Sequence, residues 1–175
     1  MCMTSYQDSM TLAQMTKMVH SLSEDYMTIS FECVPFVELT PQRLYDMLQL
    51  RSEVFVVEQE CAYLDLDGLD QQALHILGVR DGVVVATARI LAPGGRHAHV
   101  SIGRVVTAPS ARGEGLGRAL MEAALQETMK HFGAGTSVAL SAQSYLLPFY
   151  QSLGFVVTSE EYLEDDIPHT DMLRR

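Results

Sequence analysis

Basic residues are scarce in this chain of 175 residues: 12 Lys and Arg stand against 22 Asp and Glu, a formal net charge of −10. That deficit argues against bulk binding to nucleic acid or an anionic membrane surface, since both are held mainly through excess Lys and Arg. Cysteine is scarce as well. Cys2, Cys33 and Cys61 are odd in number, widely spaced, and form neither a CxxC pair nor a Cys/His cluster of zinc-binding spacing. They read as plain thiols of a reducing compartment, so the cytoplasm is expected and a metal is not. No apolar run approaches the about 18 residues of a membrane span, and the N-terminus lacks the positive-then-apolar order of a signal peptide. Internal repeats and low-complexity linkers are absent too.

What is present is the material of one packed domain, with 47% hydrophobic and 19% charged residues. Residues 1–27 stand apart, because they hold Met1, Met3, Met10, Met15, Met18 and Met27 among Ser, Thr and Gln without a strand pattern. They are expected to be a poorly ordered extension, with a regular domain over 28–175. The charge is also uneven. From Arg89 to Arg118, five arginines face the single acid Glu114, a local balance of +4 against −14 for everything else.

From Thr28 the periodicity becomes regular. Ile29, Phe31 and Cys33 alternate with polar neighbours as in a half-buried strand. Thr40 and Pro41 open a helix carried by Leu44, Met47, Leu48 and Arg51 to about Val57. An acidic, Gly-containing loop follows from Glu60 to Gln72. LHILGVR and VVVATARIL then form two strands joined at Asp81-Gly82, and a third strand runs from His99 to Thr107, ended by Pro109. A second helix, with Leu116, Leu120, Ala123, Ala124 and Met129 on one face, closes at Gly133 and Gly135. TSVALSA is a strand, Tyr145 to Leu153 a short helix, and two final strands flank the acidic stretch EEYLEDDIP. This order defines an α+β fold, layered α/β/α, around a mixed sheet.

The chemistry is concentrated in VSIGRVVTAPSARGEGLGRALM, where a strand ends in a turn with Gly113, Gly115 and Gly117 that feeds a helix. Glycines let backbone amides approach a ligand closely, and a helix start adds unpaired N–H groups and a positive dipole end. Such a turn is expected to cradle phosphate. The nucleoside-triphosphate loop GxxxxGK is excluded, since no such lysine exists here, and the dinucleotide pattern GxGxxG fits poorly because the spacing is GxGxG. Arg112, Gly115 and Gly117 satisfy a third pattern, RxxGxG.

That motif, with Pro109 upstream and the segment FYQSLGF from Phe149 to Phe155, resembles the acetyl-CoA pyrophosphate motif and helix end of the GNAT N-acetyltransferase superfamily. The blocks LRSEVFVVEQECAYLDLDG, HILG, RGEGLG, AQSYLLPFYQSLGF and YLEDDIPHTDM are most similar to its ElaA-like branch. The resemblance implies a splayed central sheet whose opened strand pairs the pantetheine arm of acetyl-CoA along Val105, Val106 and Thr107. It further implies that Arg112 and the amides of Gly113, Glu114, Gly115, Leu116, Gly117 and Arg118 hold the pyrophosphate, and that Gln143 meets the pantetheine where many relatives carry Asn. Tyr150 falls at the family's acid, protonating the departing thiolate.

A primary amine must lose a proton before it attacks, because its ammonium form has a pKa of about 10. Glu58, at the end of the first helix, either accepts that proton, directly or through water, or anchors the loop; His75 and His169 are alternatives. Asp65, Asp67, Asp165 and Asp166 are expected near the acceptor mouth, either attracting a cationic amine or simply solvated. Arg89 and Arg104 can pair with acids of the neighbouring loop, and Cys61, with no partner to lower its pKa, is structural. The reading is an enzyme that moves acetyl from acetyl-CoA to a small-molecule or peptide amine in a ternary complex, as monomer or homodimer. The alternative is a silent module that binds or senses acyl-CoA.

Overall fold

The computed structural model describes residues 29–175; the expected extension over 1–27 lies outside the described residues. Strand β1 (Ser30–Pro35) leads through a 3-10 turn to helix α1 (Pro41–Arg51), where the Thr40 side chain accepts from the Arg43 amide. This is the N-cap expected from Thr-Pro. The helix does not continue unchanged to Val57. Ser52–Glu58 is a seven-residue π-helical turn, with Gln59 N–H on the Val54 carbonyl at 3.1 Å and Cys61 N–H on the Val56 carbonyl at 3.2 Å. The run Val54, Phe55, Val56, Val57 crowds an α-helix, and the wider turn directs Val54, Phe55, Glu58 and Gln59 to a common cleft.

The meander has the strands expected of it: β2 (Leu74–Arg80), β3 (Val83–Leu91) and β4 (Val100–Thr107), all antiparallel. Asp81 and Gly82 both take positive φ, 51° and 78°, as the tight turn requires. Helix α2 spans Leu116–Phe132 and stops at Gly133, whose φ is 100°. Its buried face comprises Leu116, Leu120, Met121, Ala124, Leu125 and Thr128, so Met121 and Leu125 replace the expected Ala123 and Met129 in the deepest positions. Strand β5 (Val138–Gln143), a 3-10 turn and the five-residue helix α3 (Leu147–Gln151) follow.

The acidic stretch before the C-terminus is not an open loop. Strand β7 (Tyr162–Glu164) pairs with β8 (Ile167–Arg174) across a turn in which Asp165 and Asp166 have φ of 49° and 62°. Aspartates tolerate the left-handed region better than most residues, which makes the pair a hairpin signal. With the short β6 (Val156–Val157), the sheet has eight strands in the order β1-β2-β3-β4-β5-β8-β6, with β7 also on β8.

Two cores form the layers. On one face α2 packs with Ile76, Ala88, Ile90, Ile102, Leu140, Tyr150 and Phe155; on the other, α1 supplies Met47 and Leu50 against Leu77, Val79, Val84 and Val106. Alternate residues of β2 thus serve opposite cores, as the strand period demands. The sheet opens at one seam. Strands β4 and β5 are parallel and pair only at Val100 with Val138 and Ser101 with Ala139, so the rest of β4 runs free of β5.

Candidate active site

The open seam becomes a cleft of about 460 Å³. Its walls include Gly103 to Thr107 of β4, Leu140, Ser141 and Gln143 of β5, the π-turn residues Glu58 and Gln59, Arg112 and Tyr150. Glu58, Val105, Val106, Thr107, Arg112, Gln143 and Tyr150, scattered in sequence, therefore share one space. The β4 edge offers peptide groups that must find partners, while the Val106 side chain is buried in the α1 core.

In the turn that follows the wall residue Arg112, and that does not itself line the cleft, Gly113 and Gly115 have φ of 84° and 76°, and no heavy atom lies within 4 Å of where their Cβ atoms would stand. Gly115 is the N-cap of α2, whose first amides, Leu116 and Gly117, have no intrahelical acceptor, while the Arg118 amide donates to the Gly115 carbonyl at 3.0 Å. The cradle thus has backbone donors, glycine conformations and free space, which fits a pyrophosphate. Glu114 is drawn away to Arg80 at 2.5 Å, Leu116 is buried, and the Arg118 guanidinium bonds Ser152 Oγ.

Arg112 is engaged across the cleft. Its Nη1 and Nη2 donate to the two carboxylate oxygens of Glu58 at 2.8 and 3.0 Å, and Nη2 also reaches the Thr107 carbonyl at 3.3 Å. The Gln143 side chain exchanges amide contacts with Gln59 at 3.2 and 3.5 Å.

Tyr150 is 6% exposed. Its ring stands edge-on to Phe149 and Phe155, with centroids at 5.0 and 6.0 Å. Burial pushes its hydroxyl pKa up, so it is a proton donor throughout the neutral range.

The two alternative bases separate. His75 is fully buried, its Nε2 against the Asp70 carbonyl at 3.0 Å, with burial pulling its pKa down, and it is not on the cleft wall. His169 is on that wall. Its Nδ1 lies 2.9 Å from the Ile167 carbonyl, an acceptor, so the Nδ1–H tautomer leaves the lone pair on Nε2.

Asp65 and Asp67 do not wait for a cationic ligand. The Arg51 side chain, 0% exposed as a residue, donates Nε to Asp65 at 2.8 Å and Nη1 to Asp70 at 2.8 Å. Arg89 holds Asp67 at 2.7 and 2.6 Å and reaches Asp70 at 3.2 Å, while Arg104 holds Asp65 at 2.7 Å and Asp67 at 3.2 Å. Three arginines thus neutralise three aspartates. Their charges hold the Asp67 and Asp70 carboxyls well below the ordinary Asp pKa, against the opposing effect of burial. Arg96 is likewise paired, with Glu164. The basic strip of the sequence is largely consumed inside the protein. Asp165 reaches the cleft wall, where its carbonyl accepts from the Cys61 thiol at 3.5 Å.

Arg51, Asp70, Gln59 and Tyr63 were not among the expected site residues. The spacing of acids in LDLDGLD opposite a helix-borne arginine is the signal that could have pointed to the first two. Elsewhere, donor atoms of Cys33, Glu127 and His131 lie within 4.8 Å of one another. Lys130 already holds the Glu127 carboxylate at 3.2 Å, and burial with Glu127 nearby pushes the Cys33 thiol up to about 11.

A mixed sheet opened between two parallel strands, beside a glycine turn at a helix start, is the acyl-CoA N-acyltransferase fold. Residues 38–175 match the acetyltransferase (GNAT) domain, and the chain belongs to that family. Within it the chain is ElaA-like. Protein ElaA of Escherichia coli K12 is 47% identical over 139 residues, 78% of this chain and 90% of ElaA. The crystal structure of E. coli ElaA superposes with a TM-score of 0.79 at 42% identity, covering 85% of this chain and 100% of that one. An acyl-CoA N-acyltransferase from Pseudomonas aeruginosa matches with a TM-score of 0.79 at 46% identity and the same coverage, 85% and 100%. No helix among the described residues is long and apolar enough to cross a membrane.

Proposed function

We propose that this acyltransferase moves an acetyl group from acetyl-CoA to a primary amine, of a small molecule or a peptide, by direct attack in a ternary complex. The observation that carries the reading is the open β4 edge from Gly103 to Thr107, which faces a cleft walled also by Tyr150 and by Arg112, the residue that leads into the glycine turn. Acetyl-CoA supplies a thioester electrophilic at its carbonyl carbon. Peptide groups of Val105, Val106 and Thr107 pair with the amide-bearing arm, and an N–H in this stretch polarises the carbonyl. Arg112 and the amides of Gly113 to Arg118 hold the pyrophosphate; Gln143 orients the arm.

Tyr150 gives its proton to the departing sulfur, and burial keeps that proton in place until it is needed. Glu58 accepts the proton of the attacking amine. Its carboxylate is paired with Arg112, so a guanidinium that turns to the pyrophosphate also frees the base. His169 Nε2 is the second acceptor on the same wall. No nucleophilic side chain is required.

The test is release of CoA thiol across a panel of polyamines, amino acids and N-terminal peptides, after binding of acetyl-CoA is shown by calorimetry. Amine-dependent release is expected. Tight binding with no release across the panel would overturn the enzyme and leave an acyl-CoA sensor.

A further inference from the structure

Between the pairs Thr87–Val106 and Arg89–Gly103, β3 has Ala88 alone where β4 has both Arg104 and Val105. The extra residue makes a bulge that bends the strand and leaves a peptide unit outside the ladder. It is built at Arg104 with φ of 52°, a left-handed conformation that costs a residue with a Cβ roughly 1–2 kcal/mol. Glycine is the residue suited to such a position. Here it is an arginine.

The arginine's own head group offsets the strain. Nε donates to Asp65 Oδ1 at 2.7 Å, Nη2 donates to the Asp65 carbonyl at 2.9 Å and to Asp67 Oδ2 at 3.2 Å, and the guanidinium lies 5.9 Å from the Tyr63 ring centroid. Asp65 cannot follow if Arg104 moves. Arg51 Nε grips its other oxygen at 2.8 Å, and the Tyr63 hydroxyl donates to Oδ1 at 2.9 Å. Arg51 is fixed in turn to the buried Asp70. The loop is therefore a rigid clamp, anchored in α1 and closed on one strained residue of β4.

That residue sits where the sheet has parted, since β4 and β5 pair only as far as Ser101, and Gly103 to Thr107 line the cleft. We propose that Asp65 is a positioning residue for acyl transfer: through Arg104 it holds β4 in the bulged conformation that sets the Val105 peptide at the cleft wall. This rests on the function proposed above for that strand. Asp65 touches neither substrate in this role; it acts through the backbone it fixes.

Arg104→Gly and Arg104→Ala remove the same ion pairs and both should lower the melting temperature, but only glycine adopts a φ of 52° without strain. From 1–2 kcal/mol of strain, Arg104→Ala should lose about 5- to 30-fold in turnover and weaken acetyl-CoA binding, with Arg104→Gly within about threefold of wild type. Asp65→Asn should share the alanine defect, and adding Arg104→Gly to it should restore most of the turnover. Equal defects in the glycine and alanine variants, wild-type behaviour of both, or no rescue of Asp65→Asn by Arg104→Gly would each overturn the proposal. If the wild-type protein binds acetyl-CoA but acylates no amine, the proposed function fails separately, and the glycine–alanine contrast in acetyl-CoA affinity still decides the role of Asp65.

Discussion

Removing one oxygen atom isolates the proposed acid. Tyr150→Phe leaves the ring, its edge-on contacts with Phe149 and Phe155 and its 6% exposure in place, so no cavity opens and little stability is lost. General acids contribute about 10²- to 10⁴-fold to rate. The leaving group here is a thiol, a class with an ordinary pKa of about 8.5, which departs with less protonation than an amine or alkoxide would need. The loss should fall near the low end, about 10²-fold in kcat, equivalent to about 2.7 kcal/mol of transition-state stabilisation. The assay is steady-state CoA release at saturating amine, with acetyl-CoA affinity measured calorimetrically. The affinity should change less than about twofold, because the hydroxyl is proposed to act on the departing sulfur, not on the ground-state cofactor. Burial raises the Tyr150 pKa, so the wild-type pH profile should have no falling limb from this group up to about pH 10, its ordinary value. Turnover within twofold of wild type, or a loss confined to binding, would refute the assignment.

Glu58→Gln should cut turnover about 10²-fold while leaving acetyl-CoA affinity equal or slightly tighter, since Arg112 loses a competing partner; a weaker affinity with full turnover would exclude Glu58 as base. Arg51→Met leaves Asp65, Asp67 and Asp70 to share two arginines in place of three, beside a buried side chain, and should cost about 3 kcal/mol in denaturant unfolding; a loss below about 1 kcal/mol would mean the network contributes little. Asp67 and Asp70 titrate in the folded protein below their unfolded value of about 3.9. Their stabilisation is therefore complete above that pH and lost as pH falls through the folded values, so the melting temperature should hold from pH 7 to about pH 5 and drop below about pH 4. Gly115→Ala meets no atom but must take φ of 76°; about 1 kcal/mol of stability should be lost, with weaker CoA binding as the cradle shifts, and unchanged CoA affinity would remove this turn from the site.

The strands, both long helices and the glycine turn were legible because each has a strong local signal. Thr40-Pro41, Asp81-Gly82 and Gly133 mark ends that side-chain and backbone geometry make unavoidable. The β7–β8 hairpin was less visible, since two aspartates in the left-handed region form a turn that reads in sequence as one more acidic loop. The π-turn was hidden as well, because apolar spacing does not distinguish bonding to the fourth residue from bonding to the fifth. In the site, contiguous motifs led to Glu58, Val105 to Thr107, Arg112, Gln143 and Tyr150, which share the cleft wall, whereas Gly113 to Arg118 do not line it. The fate of the charges was readable only in part: the pairing of Arg89 and Arg104 with acids of the neighbouring loop was expected, but not the buried Arg51 between Asp65 and Asp70. Asp65 and Asp67 have the sequence signature of a solvated acidic loop, yet they are neutralised by Arg51, Arg89 and Arg104, which come from a helix and two strands. Only the assembled sheet brings those groups together.

A crystal structure with CoA and an unreactive amine analogue tests the central claim most directly. The account predicts the pantetheine amides paired to the β4 backbone between Val105 and Thr107, the pyrophosphate on the amides of Gly113 to Arg118 with Arg112 released from Glu58, and the sulfur within hydrogen-bonding reach of the Tyr150 hydroxyl. A CoA bound elsewhere, or a sulfur pointing away from Tyr150 with the Arg112–Glu58 pair intact, would contradict it.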